Sequence, residues 1–158
     1  MKKDLFDYLY TCMQKNKKIY CIFVGLGWPR YEEFKNEFND RVINTESSEQ
    51  TALDISVGLA YQGKIPFVYT ITPFLLRGFE TIRTYIDHEN LHICLIGAGV
   101  NHQYSKHDGF SHEASDIPRI LLTLPNIRQY LPVTVEGMKE MIDDIIKKKQ
   151  PAFLNIHK

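Results

Sequence analysis

The chain has 158 residues, 44% of them hydrophobic and 24% charged, and 19 Lys plus Arg balance 19 Asp plus Glu to a formal net charge of +0. That length suits a single domain over residues 1–158 with a core of its own. The balanced charge argues against a nucleic-acid binder, and the lack of an apolar leader or of any run of about 18 apolar residues argues against a membrane, so a cytoplasmic protein is expected.

Helical and strand-like patterns then alternate along the chain. Residues 3–15 read as an amphipathic helix with Leu5, Tyr8, Leu9 and Cys12 on one stripe. "IYCIFV" (19–24) is a continuous apolar run, as in a strand covered on both faces. "YEEFKNEF" (31–38) is a short helix carrying Phe34 and Phe38 at i, i+4, and "RVIN" is a short strand. A helix follows from about Ser48 to Tyr61, with Gly63 placed to close it. "IPFVYT" (65–70) is the next strand, then come a helix around 74–88 and the strand "HICLIG" (92–97). A polar, histidine-rich loop covers 100–114. A helix near 115–123, a strand near 127–131, a helix over about 134–148 and the strand "AFLNI" complete the series. Such alternation predicts an α/β fold, a three-layer α/β/α arrangement with a mostly parallel sheet of about six strands. Ligands of open sheets of this kind meet the carboxyl ends of the strands, here the loops after residues 24, 44, 70 and 97.

Several familiar motifs fail. "GLGWPR" starts like a dinucleotide-binding loop, but Arg30 stands where a third glycine belongs and Pro29 stiffens the turn. No phosphate-cradling P-loop and no nucleophile elbow occurs. His102, His107 and His112 recur every five residues, which suits neither helix nor strand as a metal-ligand spacing, so no metal is assigned to this chain. Cys12, Cys21 and Cys94 form no C-x-x-C pair and read as buried free thiols of a reducing compartment.

"VINTESSEQTALD" sets Glu46 and Glu49 at a helix start. Locally, a capping box of Ser47 and Gln50, together with the general preference for acids in a first turn, explains both. The wider pattern separates them. "GLGWPRYEEFKNEFNDRVINTESSEQTA", "GLAYQGKIPFVYTITPF" with "LRGFETIR", and "HDGFSHEASDIPRILLTLPNIRQYLP" together resemble, in order, the pyrimidine-binding (PYR) domain of transketolase-type thiamine diphosphate enzymes. The resemblance covers residues 20–132.

Carried over residue by residue, the resemblance makes Glu49 the catalytic and cofactor-binding acid that hydrogen-bonds a ring nitrogen of the aminopyrimidine and activates the cofactor. It leaves Glu46 a helix-start residue. Phe74 matches the aromatic that stacks on the aminopyrimidine, and Ile71 matches a position, often aromatic, that would give apolar contact. Asp108 and His112 match a D-G-x-x-H loop that binds sugar hydroxyls or assists proton transfer, and His107 stands beside them where many relatives carry an acid. Arg77 and Arg83 face either substrate or a subunit interface, or are ordinary solvated arginines. Gly25 replaces a frequent aspartate.

The family's other half holds Mg2+ (or Ca2+) and diphosphate through G-D-G and an Asn about 25 to 30 residues on. "HDG" at 107–109 lacks the leading glycine and Asn126 comes too soon. The resemblance therefore implies a split transketolase. This chain would supply the pyrimidine half, and a separate diphosphate-binding (PP-domain) subunit would hold the metal, in a heterotetramer of two of each chain. The reaction would be ketol transfer between sugars, on a sugar phosphate or nucleotide-linked sugar. The alternatives are a subunit of a 2-oxo acid decarboxylase or synthase that uses the same cofactor, and a non-catalytic PYR-like scaffold.

Overall fold

Six strands form: β1 (Ile19–Phe23), β2 (Val42–Asn44), β3 (Ile65–Ile71), β4 (Cys94–Ala98), β5 (Arg128–Tyr130) and β6 (Ala152–Ile156). In the computed structural model, which describes residues 1–25 and 29–158, they make one sheet in the order β2-β1-β3-β4-β6-β5. Every neighbouring pair is parallel, with Cys21 beside Val42 and Phe67, and Phe67 beside Cys94. Leu26, Gly27 and Trp28, the middle of "GLGWPR", lie outside the described residues.

Burial on both faces explains why the central strands β1, β3, β4 and β6 read as near-continuous apolar runs and not as alternating ones, while the edge strands β2 and β5 are short and partly exposed. Helices α1 (Lys2–Lys15), α2 (Tyr31–Phe38) and α7 (Val135–Lys148) cover one face. They bring Phe6, Leu9, Phe34 and Ile142 onto Cys21, Phe23, Phe67 and Leu154. Helices α3 (Glu49–Tyr61) and α6 (Ile117–Leu121) cover the other, setting Leu53, Val57 and Leu121 against Ile22, Val68 and Phe153. Phe6 and Met13 are buried in α1 as well as the expected Leu5, Leu9 and Cys12, while Tyr8 sits at the margin and donates to Asp143 at 2.7 Å. Gly63 closes α3 at φ 72, its N–H donating to the Ala60 carbonyl at 2.9 Å. The three cysteines are buried and free, and burial pushes the Cys12 thiol up to about 11.

The stretch expected to be one helix over 74–88 is wound three ways. A 3₁₀ helix runs over Thr72–Gly78, followed by α4 (Phe79–Thr81) and a π-helix over Ile82–Asp87. Its ends are fixed from outside. The Thr72 hydroxyl donates to the Gly99 carbonyl at 2.6 Å, tying the exit of β3 to that of β4. Gly78 lies so close to α3 that a Cβ there would run into Leu53. A 3₁₀ turn rises about 2.0 Å per residue against about 1.5 Å for an α turn, so the tighter winding spans the gap between these anchors with fewer residues. At the far end the Asp87 carboxylate accepts from the Asn126 and Ile127 backbone N–H groups at 2.8 and 3.2 Å, and the widened π turns meet that anchor.

The 100–114 segment, expected as plain loop, contains α5 (Ser105–Asp108) and a 3₁₀ turn over Phe110–His112. Glu113 organises it by accepting from Ser105 Oγ at 2.7 Å and His102 Nδ1 at 2.7 Å, while the Ala114 N–H closes onto the Asn101 carbonyl at 3.1 Å. Among the described residues no helix is long and apolar enough to cross a membrane.

Candidate active site

From β1 the chain crosses to β2 on one side, while β3 pairs with β1 on the other, so the strand order turns about between β1 and β3. That switch point opens a crevice at the carboxyl ends of the strands, and such crevices receive ligands in open parallel sheets. A cavity of about 300 Å³ lies there, walled by Val24 and Gly25 after β1, Thr70 and Ile71 at the end of β3, and Glu49, Phe74 and Arg77.

Glu49 is the first residue of α3, and its side chain is 5% exposed. Arg77 Nη1 donates to both of its carboxylate oxygens at 3.0 Å. The same guanidinium lies over the Phe74 ring, its carbon 4.0 Å from the ring centroid. The 3₁₀ winding explains the stacking, because side chains three apart eclipse one another there and Phe74 and Arg77 are three apart. The His112 ring meets the Phe74 ring edgewise, with centroids 4.9 Å apart and planes at 64°. The rim holds Lys2, whose ammonium lies 5.6 Å from the Tyr69 ring centroid, and Tyr104. Burial lowers the Lys2 pKa. It raises that of Tyr104, with the Asp108 charge adding to the effect.

The structure therefore gathers Glu49, Phe74 and Ile71 around one cavity and brings His112 onto Phe74. Asp108 and His107 sit on the exposed turn of α5, outside the cavity wall. Glu46 is exposed at φ 55, its N–H held by Asn44 Oδ1 at 3.0 Å. The capping box does not form. Ser48 is the N-cap residue and its hydroxyl pairs with Thr51 at 2.6 Å, while Gln50 donates to Asp54 and Thr81 at 2.9 and 2.6 Å. Gln50 is drawn away because α3 packs on the 72–81 segment, which offers it the buried Thr81 hydroxyl.

The sequence marks Arg77 but not its partner, and carries no signal that brings Lys2, Tyr69 and Tyr104 to the same cavity. The i, i+3 spacing of Phe74 and Arg77 was a usable signal only once a 3₁₀ turn was assigned. Arg83, by contrast, pairs with Glu80 at 2.9 Å on the surface. A larger depression of about 620 Å³ beside the π-helix includes Arg83, Glu80 and Asp87, but these groups already bond protein partners. Among the described residues no three His, Cys, Asp or Glu side chains converge as metal ligands. His102 turns to Glu113 and His112 to Phe74.

A parallel α/β sheet with a buried acid and a flat aromatic lining one cavity at its switch point is the form that ligand-binding α/β domains take. Residues 24–158 match the model of the transketolase pyrimidine-binding domain, and the chain belongs to that family. It is 26% identical over 124 residues to one subunit of the apulose-4-phosphate transketolase of Actinobacillus succinogenes, covering 78% of this chain and 40% of that protein. It is 28% identical to the 1-deoxy-D-xylulose-5-phosphate synthase of Halalkalibacterium halodurans, covering 73% of this chain and 18% of that one. The chain thus spans well under half the length of these curated relatives. The fold superposes on a split-gene transketolase solved as an inactive beta4 tetramer, with a TM-score of 0.84 at 23% identity over 98% of this chain and 50% of that one.

Proposed function

We propose that the chain is the pyrimidine-activating part of a thiamine diphosphate-dependent, transketolase-like enzyme, completed by a separate chain that holds the diphosphate and its Mg2+ (or Ca2+). The observation that carries this reading is the buried Glu49 carboxylate beside the Phe74 ring in a cavity at the switch point. The residues present fit an aminopyrimidine. The cavity of about 300 Å³ is the size for one flat ring, Phe74 offers a face for it once the Arg77 side chain gives way, Ile71 gives apolar contact, and Glu49 sets a carboxyl in the wall. The bound cofactor supplies a carbon nucleophile for breaking and making the bond next to a sugar carbonyl. Glu49 accepts and returns a proton at a ring nitrogen of the aminopyrimidine. Its place in the first turn of α3 fixes its aim, and its burial keeps water from competing for that proton. His112, whose ring rests against the cavity residue Phe74, would donate to a substrate hydroxyl, and Asp108 and His107 on the neighbouring exposed turn would bind the sugar further out.

The relative named as one subunit of a transketolase and the split-gene neighbour support a partner chain; an assembly of two of each chain is the symmetric form proposed for the complex. The substrate class is a sugar phosphate or nucleotide-linked sugar. To test the reading, this chain is mixed with its diphosphate-binding partner and thiamine diphosphate, and transfer of a two-carbon ketol unit between sugars is followed. Transfer that needs all three components supports it, and transfer that proceeds without this chain refutes it. The likeness to a deoxyxylulose-phosphate synthase favours a second reading, a synthase acting on a 2-oxo acid. Carbon dioxide release from pyruvate, with none of the ketol transfer, would select it.

A further inference from the structure

The acid and the aromatic that would receive the cofactor ring are both already engaged by one side chain. Arg77 Nη1 holds both oxygens of Glu49 at 3.0 Å, and the guanidinium carbon lies 4.0 Å from the centre of the Phe74 ring. A guanidinium is planar, delocalised and rich in N–H donors. Those are the features with which an aminopyrimidine stacks on a ring and bonds an acid. The face of Phe74 that Arg77 covers is the one nearest Glu49, because a single C–N bond of the guanidinium links the two contacts. A pyrimidine ring that stacks there and reaches Glu49 needs the same volume.

We propose that Arg77 is a built-in placeholder: in the free chain it occupies the aminopyrimidine position, and cofactor binding displaces it outward. This rests on the cofactor reading above. The way out is open, since the Arg77 side chain is 51% exposed whereas that of Glu49 is 5% exposed. The Thr72 tie to Gly99 and the seating of Gly78 on Leu53 hold the backbone on either side of Arg77, so the displacement is a rotamer change of one long side chain. The device keeps a buried carboxylate partnered while no cofactor is present, which a polar group in this setting requires. It also weakens ligand binding, because the incoming ring must first break the contacts that Arg77 makes. Arg77 is a positioning residue that competes with the ligand.

The probe is the pyrimidine half of thiamine, 4-amino-5-hydroxymethyl-2-methylpyrimidine, added to the full chain carrying ¹⁵N-labelled arginine. Without probe, the Arg77 guanidinium should show restricted rotation and slow hydrogen exchange. Glu49→Ala should abolish both, a result that needs no ligand. As the probe is added, the Arg77 signals should collapse to those of a free guanidinium while the Phe74 ring signals shift. Arg77→Ala should bind the probe about fivefold more tightly, the worth of one half-exposed ion pair plus one cation–π contact. Arg77→Lys, which keeps the charge but loses the fork and the flat stack, should fall between and guards against a folding defect in the alanine variant. Equal or weaker probe binding by both variants, or an Arg77 signal that stays restricted at saturation, overturns the placeholder and leaves the cofactor reading standing. Absence of any Phe74 shift in every variant defeats the cofactor reading, and the placeholder with it.

Discussion

Glu46 and Glu49 are three residues apart and chemically identical, yet their surroundings differ. Glu46 is exposed on a left-handed turn, while Glu49 is buried at the mouth of a cavity with a guanidinium against it. In the assembled enzyme Glu49→Gln should keep the fold and lower turnover about 100-fold or more, because the amide cannot relay a proton. Glu46→Gln should leave turnover unchanged, and steady-state kinetics on the pair separates the two roles. Phe74→Ala should weaken cofactor binding about threefold to tenfold, the loss of one aromatic stacking contact, as read by a cofactor titration. Local pattern alone could not tell the two glutamates apart, since a first helical turn favours acids at either position. The longer series of motifs separated them. Nothing in the pattern placed Lys2 or Tyr104 at the same cavity, because their approach depends on where α1 and the loop after β4 come to rest on the sheet.

The strands and most helices were legible because apolar runs and 3.6-residue stripes leave a direct trace in the sequence. The expected helix at 31–38 and the last strand match α2 and β6 to the residue. The 72–87 segment was not legible in the same way. Its hydrophobic pattern suits a helix, but its pitch is set by contacts from elsewhere, with Thr72 bound to Gly99, Gly78 seated on Leu53 and Asp87 held by the 126–127 backbone. Gly78→Ala should therefore cost about 1–3 kcal/mol by overpacking and disturb Phe74 and Arg77 together, which denaturant melts and a cofactor titration would register. The loop over 100–114 is organised by Glu113, whose carboxyl is drawn down to about 2 from an ordinary 4.5 by hydrogen bonds from Ser115, Ser105 and His102. A depressed acid contributes in full above its unfolded value and loses that contribution as pH falls through its folded one. Loop closure should thus be complete above pH 4.5 and fail as pH falls toward about 2, visible as a loss of amide protection at residues 101–114 relative to unfolded chain at the same pH. Glu113→Gln should show the same loss of protection at neutral pH.

At the scale of the whole molecule, six parallel strands, the central four of them buried on both faces, make a rigid platform, and the switch point between β1 and β3 opens a crevice with a buried acid. On the proposed function, this platform would carry the pyrimidine end of the site and another chain the diphosphate end. Each chain assayed alone should therefore show no ketol transfer, and activity should rise with added partner until the two are equimolar. The family was readable from the order of its motifs, whereas substrate identity was not, because the exposed turn carrying His107 and Asp108 takes its meaning from what is bound against it. The most direct test is thiamine diphosphate-dependent ketol transfer by the reconstituted complex, measured with wild-type chain and with Glu49→Gln under the same saturating cofactor. A proton-relaying Glu49 predicts transfer by the wild type and a loss of about 100-fold or more in the variant, with both complexes equally assembled. Wild-type turnover by the Glu49→Gln complex would contradict it.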